Sequence, residues 1–323
     1  MVFFSRVSSP KLYGSVIIIA RKQQQCVITV GQRSISGKVM RQGLPPVQKP
    51  APFPYKEKRY NYIRAVFDRT TSRLDENSKL IVVEGPPAAG KRALAKELAE
   101  ELEMAYFPSP NVAETYFNDY GYDLRQIDHK LPTSCQSYDE NDFIKDPMRE
   151  NSSKAARFQI SKFALRYRRY LEALAHILNT GQGVVMDRSP FSDLAYMTAM
   201  TETGIISKNG RIFQFISILL IKMLKILNYN FQIVYNYYHA VRNNSLFALW
   251  RPHLVIYLDV PIEETRRRIE ARNHPNEKDS IVSSPAYLQA LVNSYKNDYL
   301  KNIRYCKTKK GNQRCFCCSH VLM

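Results

Sequence analysis

The 323-residue chain carries 47 Lys/Arg against 29 Asp/Glu, a net charge of +18, with 45% hydrophobic residues. A balance this basic invites a nucleic-acid groove, but its distribution removes the need for one. Residues 1–56 hold nine basic side chains and no acid, residues 301–323 six and none, and residues 216–238 two and none, so the remainder is close to neutral. Of six cysteines, only Cys135 lies between the two ends, which excludes a disulfide framework. The terminal cysteines with His320 match no standard zinc spacing, and no metal is expected. The length suits one domain of roughly 200–250 residues plus tails.

Residues 1–35 read as a mitochondrial transit peptide: acid-free, with apolar residues broken by Arg6, Lys11, Arg21 and Lys22. The rival reading is a secretory signal built on Val16-Ile17-Ile18-Ile19-Ala20, but that run is short and Arg21-Lys22 follows it at once. The expected location is therefore the mitochondrial matrix. Residues 36–78 form an extended arm or linker, Pro-rich from Leu44 to Pro54.

The apolar run Leu80-Ile81-Val82-Val83-Glu84 leads directly into Gly85-Pro86-Pro87-Ala88-Ala89-Gly90-Lys91-Arg92. This is the phosphate-loop pattern G-x-x-x-x-G-K, with Arg92 where Ser or Thr would help hold magnesium. Backbone N–H groups, a helix N-terminus and Lys91 can still hold a phosphate there. A helix must follow, because Leu94, Leu98 and Leu102 recur every four residues. Three more apolar runs, 104–107, 183–186 and 253–258, read as buried parallel strands. Helical patterns cover 155–179, 191–200, 262–272 and 285–299. The alternation predicts an α/β fold with a doubly wound parallel sheet, whose ligands sit beyond the carboxyl ends of the strands.

Asp187-Arg188-Ser189 lies at one such end, where an acid and an arginine suit a sugar hydroxyl and a phosphate. Its blander reading is a helix start with Ser189 as N-cap and Pro190 at N1. The arginines of the run 264–272, Arg266 and Arg268 among them, suit a phosphate lid, although a solvated helix face is the usual meaning of such a run. Residues 216–238 stand apart as an insert of Ile, Leu, Lys, Asn, Phe and Tyr. The insert is too interrupted by Lys222, Lys225 and Asn228 for a transmembrane span; its residue set is what translated AT-rich non-coding sequence gives, which is the preferred reading, and a basic membrane-surface helix is the alternative. The tail 301–323 has no strand or helix period.

In this order the motifs resemble the deoxyribonucleoside kinase family: the loop after Val82-Val83-Glu84, Phe158-Gln159, Asp187-Arg188-Ser189, and the arginine-rich run after Leu258-Asp259-Val260-Pro261. The resemblance covers about residues 57–215 and 239–300. It implies that Gln159 reads a nucleobase edge and that Arg188 lies near the substrate 5′ oxygen. It adds a bound purine (deoxy)nucleotide as the expected ligand, ahead of FAD. The stretches 179–193, 251–261 and 284–289 resemble a divergent branch that serves as an accessory subunit of mitochondrial respiratory complex I. Other subunits of that complex are then the expected partners, on the matrix side of the inner membrane, with a working kinase as the alternative. The departures favour the non-catalytic branch. Arg92 replaces the metal-binding hydroxyl, and Pro108-Ser109-Pro110 offers no carboxylate where the kinases carry a catalytic base, the first acid being Glu114. The family's last edge strand also has no candidate after the lid.

Overall fold

The computed structural model describes residues 57–301 apart from 60, 119, 149–152, 207–231, 248 and 275, together with 15–20, 38 and 319–321. The Pro-rich stretch 44–54, most of the expected leader, most of the insert and residues 302–318 lie outside these.

Four strands form a parallel sheet: β2 (Leu80–Glu84), β3 (Ala105–Phe107), β4 (Val184–Asp187) and β5 (Leu254–Asp259), in the order β3-β4-β2-β5. All four were legible as apolar runs. Alternation explains how one strand serves two faces. Leu80 and Val82 of β2 enter one core with Val184, Met186, Val255 and Tyr257, while Ile81 and Val83 enter the other with Val185, Ile256 and Leu258. Burying each such aliphatic side chain stabilises the fold by about 1.5–3 kcal/mol.

The helix after the loop, α2 (Lys91–Leu102), lays Ala95, Leu98 and Ala99 on the second face. The first face is covered by α4 (Ser153–Thr180), α5 (Asp193–Glu202) and α8 (Pro285–Ser294), the last continuing through a π-helical turn at Tyr295–Tyr299. Four further α-helices lie among the described residues: α1 (Tyr62–Phe67), α3 (Glu140–Lys145), α6 (Gln232–Leu246) and α7 (Ile262–Arg272). Helix α6 takes in the last residues of the stretch set apart as an insert, and its Tyr238 is buried edge-on against Phe163, at 5.7 Å.

Beside β5 the structure adds strands that the sequence did not announce. Among the described residues, no strand after the lid closes the sheet in parallel. Instead β1 (Ser15–Ala20), within the expected leader, pairs antiparallel with β5 from Ser15 opposite Asp259 to Ala20 opposite Leu254. The short β6 (Ser319–Val321) then pairs antiparallel with β1. The physical reason is the row of backbone donors and acceptors that β5 would otherwise leave unpaired, together with the β-branched run Val16-Ile17-Ile18-Ile19. Among the described residues, no helix is long and apolar enough to cross a membrane.

Candidate functional site

The register of the sheet gathers the site. Val83 pairs with Asp187 and Phe107 with Met186, so the segments that follow β2, β3 and β4 emerge side by side. The loop Gly85–Gly90 leaves β2 through Gly85 at φ +147°, where a Cβ would lie 2.8 Å from the Leu258 carbonyl oxygen. Only glycine fits that approach. Ala88 (φ 53°) and Gly90 (φ 87°) also take left-handed conformations. Gly90 caps α2 without any side-chain hydrogen bond, so the first-turn N–H groups face the loop with no side chain of the cap to satisfy them. This is the local geometry for an anion. Pro86 and Ala89 are buried, Pro87 and Ala88 half-buried. Lys91 is 8% exposed and donates to the Pro86 carbonyl. Burial, followed by the nearby Arg188 charge, holds its pKa well below the usual lysine value.

Arg92 lies toward the end of β4. Its side chain is 74% exposed, with Nε 3.7 Å from Asp187 Oδ2. The second oxygen of Asp187 accepts from the Ser109 backbone N–H. A cleft of about 390 Å³ opens at this corner, lined by Arg92, Lys96, Tyr106, Pro108, Ser109, Asn111, Glu114 and Arg169. Glu114 is the carboxylate in that lining.

Behind the loop lies a buried polar layer. Glu84, fully buried, accepts from the Ser189 N–H at 2.9 Å, the Ser189 hydroxyl at 2.8 Å, and the Tyr295 and Tyr299 hydroxyls at 3.4 Å. Burial raises its pKa, against the Ser189 and Ser192 hydrogen bonds. The Ser189 hydroxyl is thus engaged by Glu84 instead of capping a helix, and α5 begins three residues later than that reading had it, at Asp193 after Ser192. Arg188 sits at φ 73°, its guanidinium 4.9 Å from the Tyr196 ring centroid.

Gln159 is 2% exposed, with Nε2 3.3 Å from Asp193 Oδ1. The same oxygen takes Arg166 in an ion pair whose side chains are 3% and 0% exposed. Burial raises the Asp193 pKa against the pull of Arg166. Arg166 Nε and Asp193 Oδ2 are buried without a hydrogen-bond partner. Orphaned polar atoms at the end of a parallel sheet suit a polar ligand edge. Lys162 donates to the Pro110 carbonyl at 2.9 Å and to Glu140, and burial, then Arg166, lowers its pKa to about 8.

The structure therefore brings Gly85–Arg92, Gln159, Asp187 and Arg188 to one end of the sheet. Arg266 and Arg268 engage acids of their own helix. On α7 they pair with Glu270 at 3.7 Å and Glu264 at 2.7 Å, on their own helix surface, which is the solvated-face arrangement. Sequence reasoning missed Glu84, Lys162, Arg166 and Asp193. The signal for two of them was present: Gln159, Lys162 and Arg166 stand at i, i+3 and i+7, one polar stripe on a helix whose same side carries Phe163 and Tyr170.

The residues fit a nucleotide's phosphates at the loop and a polar base edge at Gln159, Arg166 and Asp193. They do not fit magnesium, because the expected hydroxyl is an arginine and that arginine faces the strand-end carboxylate. Among the described residues no group of three His, Cys, Asp or Glu side chains could hold a metal.

A deoxynucleoside kinase family model matches residues 81–214 and 220–313. The chain is 32% identical over 243 residues to the mitochondrial NADH dehydrogenase (ubiquinone) 1 alpha subcomplex subunit 10 of Mus musculus, covering 75% of this chain and 59% of that protein. It is 31% identical over 233 residues to the same subunit of Bos taurus, covering 72% and 58%. To deoxyguanosine kinase of Dictyostelium discoideum it is 26% identical over 227 residues, covering 70% and 61%. The chain thus spans about three-fifths of the length of these curated relatives. By the extent of the family match, this chain belongs to the deoxynucleoside kinase family.

Proposed function

We propose that this protein is a non-catalytic accessory subunit of mitochondrial respiratory complex I that keeps the nucleotide pocket of its kinase ancestry. The observation that carries the loss of catalysis is the corner formed by Arg92, Asp187 and Ser109. A general base is required within hydrogen-bond reach of the 5′ hydroxyl. The residue in that region is Ser109, whose backbone N–H is bonded to Asp187, and Glu114 is the carboxylate left in the cleft. Removing a general base lowers rates by about 10²–10⁴-fold. A poor metal site removes further charge stabilisation from phosphoryl transfer.

Likeness to the respiratory subunit of mouse and cattle supports complex I subunits as partners and the mitochondrial matrix as location. A retained nucleotide would serve stability, since a ligand bound only by the folded state adds RT ln(1 + [L]/Kd). Lys91 would hold its phosphates, Arg188 would lie near its sugar, and Gln159, Arg166 and Asp193 would meet its base.

The test is a native-gel separation of solubilised mitochondria, probed for this chain. Comigration with the large NADH-dehydrogenase band is the expected result. Migration at monomer or dimer size would sink the assembly reading and leave the kinase alternative, which belongs to the same family.

A further inference from the structure

We propose that the loop at Gly85–Arg92 binds nucleoside polyphosphate free of magnesium, with the Arg92 guanidinium supplying positive charge in the metal's stead. This rests on the nucleotide-pocket reading above and specifies the ionic form of the ligand. Three observations lead to it. First, Arg92 occupies the one position in the pattern reserved for a metal-binding hydroxyl. Second, none of the three strand-end acids is disposed to a hard cation, Asp259 of β5 being paired with Lys296 Nζ at 2.9 Å. Asp187 accepts from the Ser109 N–H through one oxygen and faces Arg92 Nε at 3.7 Å with the other. Glu84 is fully buried among Ser189, Tyr295 and Tyr299. Magnesium demands near-octahedral oxygen ligation and does not tolerate an arginine within it.

Third, the corner gathers basic side chains. Lys91 is buried in the loop, Arg188 lies beside it, and Lys96 and Arg169 line the cleft with Arg92, against Asp187 and Glu114. A metal-free di- or triphosphate carries more negative charge than its magnesium complex, and its oxygens are free to accept from arginine. The metal-free anion is therefore the better match. Excess magnesium then acts as a competitor, because it claims the same phosphate oxygens.

The experiment is isothermal titration of the full chain with ATP, dATP, GTP and dGTP, each in EDTA and in excess magnesium. For at least one nucleotide, the expected affinity is several-fold higher in EDTA. R92S should weaken binding in EDTA by roughly tenfold, the loss of one charge-assisted contact, and magnesium should restore it. R92K, which keeps the charge, should retain metal-free binding. Thermal unfolding of each variant checks the fold, and the spin-resonance spectrum of added manganese reads whether a nucleotide-bound cation is held by the wild-type protein; it should not be. Wild-type binding that requires magnesium, or R92S binding in EDTA as tightly as wild type, overturns the proposal alone. No binding of any nucleotide in either condition overturns the retained pocket and this proposal with it.

Discussion

The inner and outer halves of the site differ in kind. The inner half, Glu84, Gln159, Arg166, Asp193 and Ser189, is buried, hydrogen-bonded in two groups (Glu84 with Ser189, Asp193 with Gln159 and Arg166) and anchored to the ends of β2 and β4 and to α4 and α5. The outer half, Arg92, Ser109 and Glu114, borders an open cleft, and its one ion pair is loose and exposed on the arginine side. The inner half is part of what holds the fold together, because a buried charge must keep its partner. The outer half carries little stability, so its residues can change without unfolding the chain. Catalysis can thus disappear from a kinase fold while the pocket behind it persists.

The sharpest way to break this comparison is Asp193→Ala. It strands Arg166, 3% exposed, without its buried counter-charge, and should cost about 3–5 kcal/mol in denaturant unfolding. A loss below about 1 kcal/mol would mean that the inner half is not structural.

A second, smaller effect should appear with pH. The folded protein releases the Lys162 proton near 8, the unfolded chain near the ordinary 10.5. Between those values the unfolded state binds more protons, so stability must rise with pH across this window and level off below pH 8, where both states hold the proton. The gain from pH 8 to pH 10 is about 2 kcal/mol by linkage. It should vanish in Lys162→Met, compared with wild type by urea unfolding at both pH values. The raised tyrosine pKa values near the core act equally on both proteins and cancel. Parallel wild-type and variant curves would count against a desolvated Lys162.

The smallest effect belongs to the outer half. Arg92→Ser should change ligand-free stability by less than about 0.5 kcal/mol, as expected of an exposed ion pair. A drop of several degrees in melting temperature would erase the distinction between the two halves.

Legibility in the sequence followed the same division. The four parallel strands and the loop were readable because their signals are contiguous: an apolar run, then two glycines and a lysine at set spacing. The departure at Arg92 was readable for the same reason. The inner half was not, because Arg166 and Asp193 lie 27 residues apart and meet only once α4 and α5 pack together. The left-handed Arg188 is likewise a tertiary consequence, since an arginine does not itself favour that conformation. Arg266 and Arg268 were assigned to a lid although Glu270 stood four residues from Arg266 and Glu264 four from Arg268, a pairing the sequence did offer. The strand at Ser15–Ala20 was hidden because a β-branched apolar run inside a basic, acid-free segment serves a leader as well as a sheet edge.

The most direct test of a retained pocket beside a disabled catalytic corner is phosphate transfer from γ-labelled ATP, with magnesium, to each of the deoxynucleosides. Lys91→Ala serves as the background. The account predicts no labelled product above that background. Magnesium-dependent product that Lys91→Ala abolishes would contradict it and make this chain a working kinase.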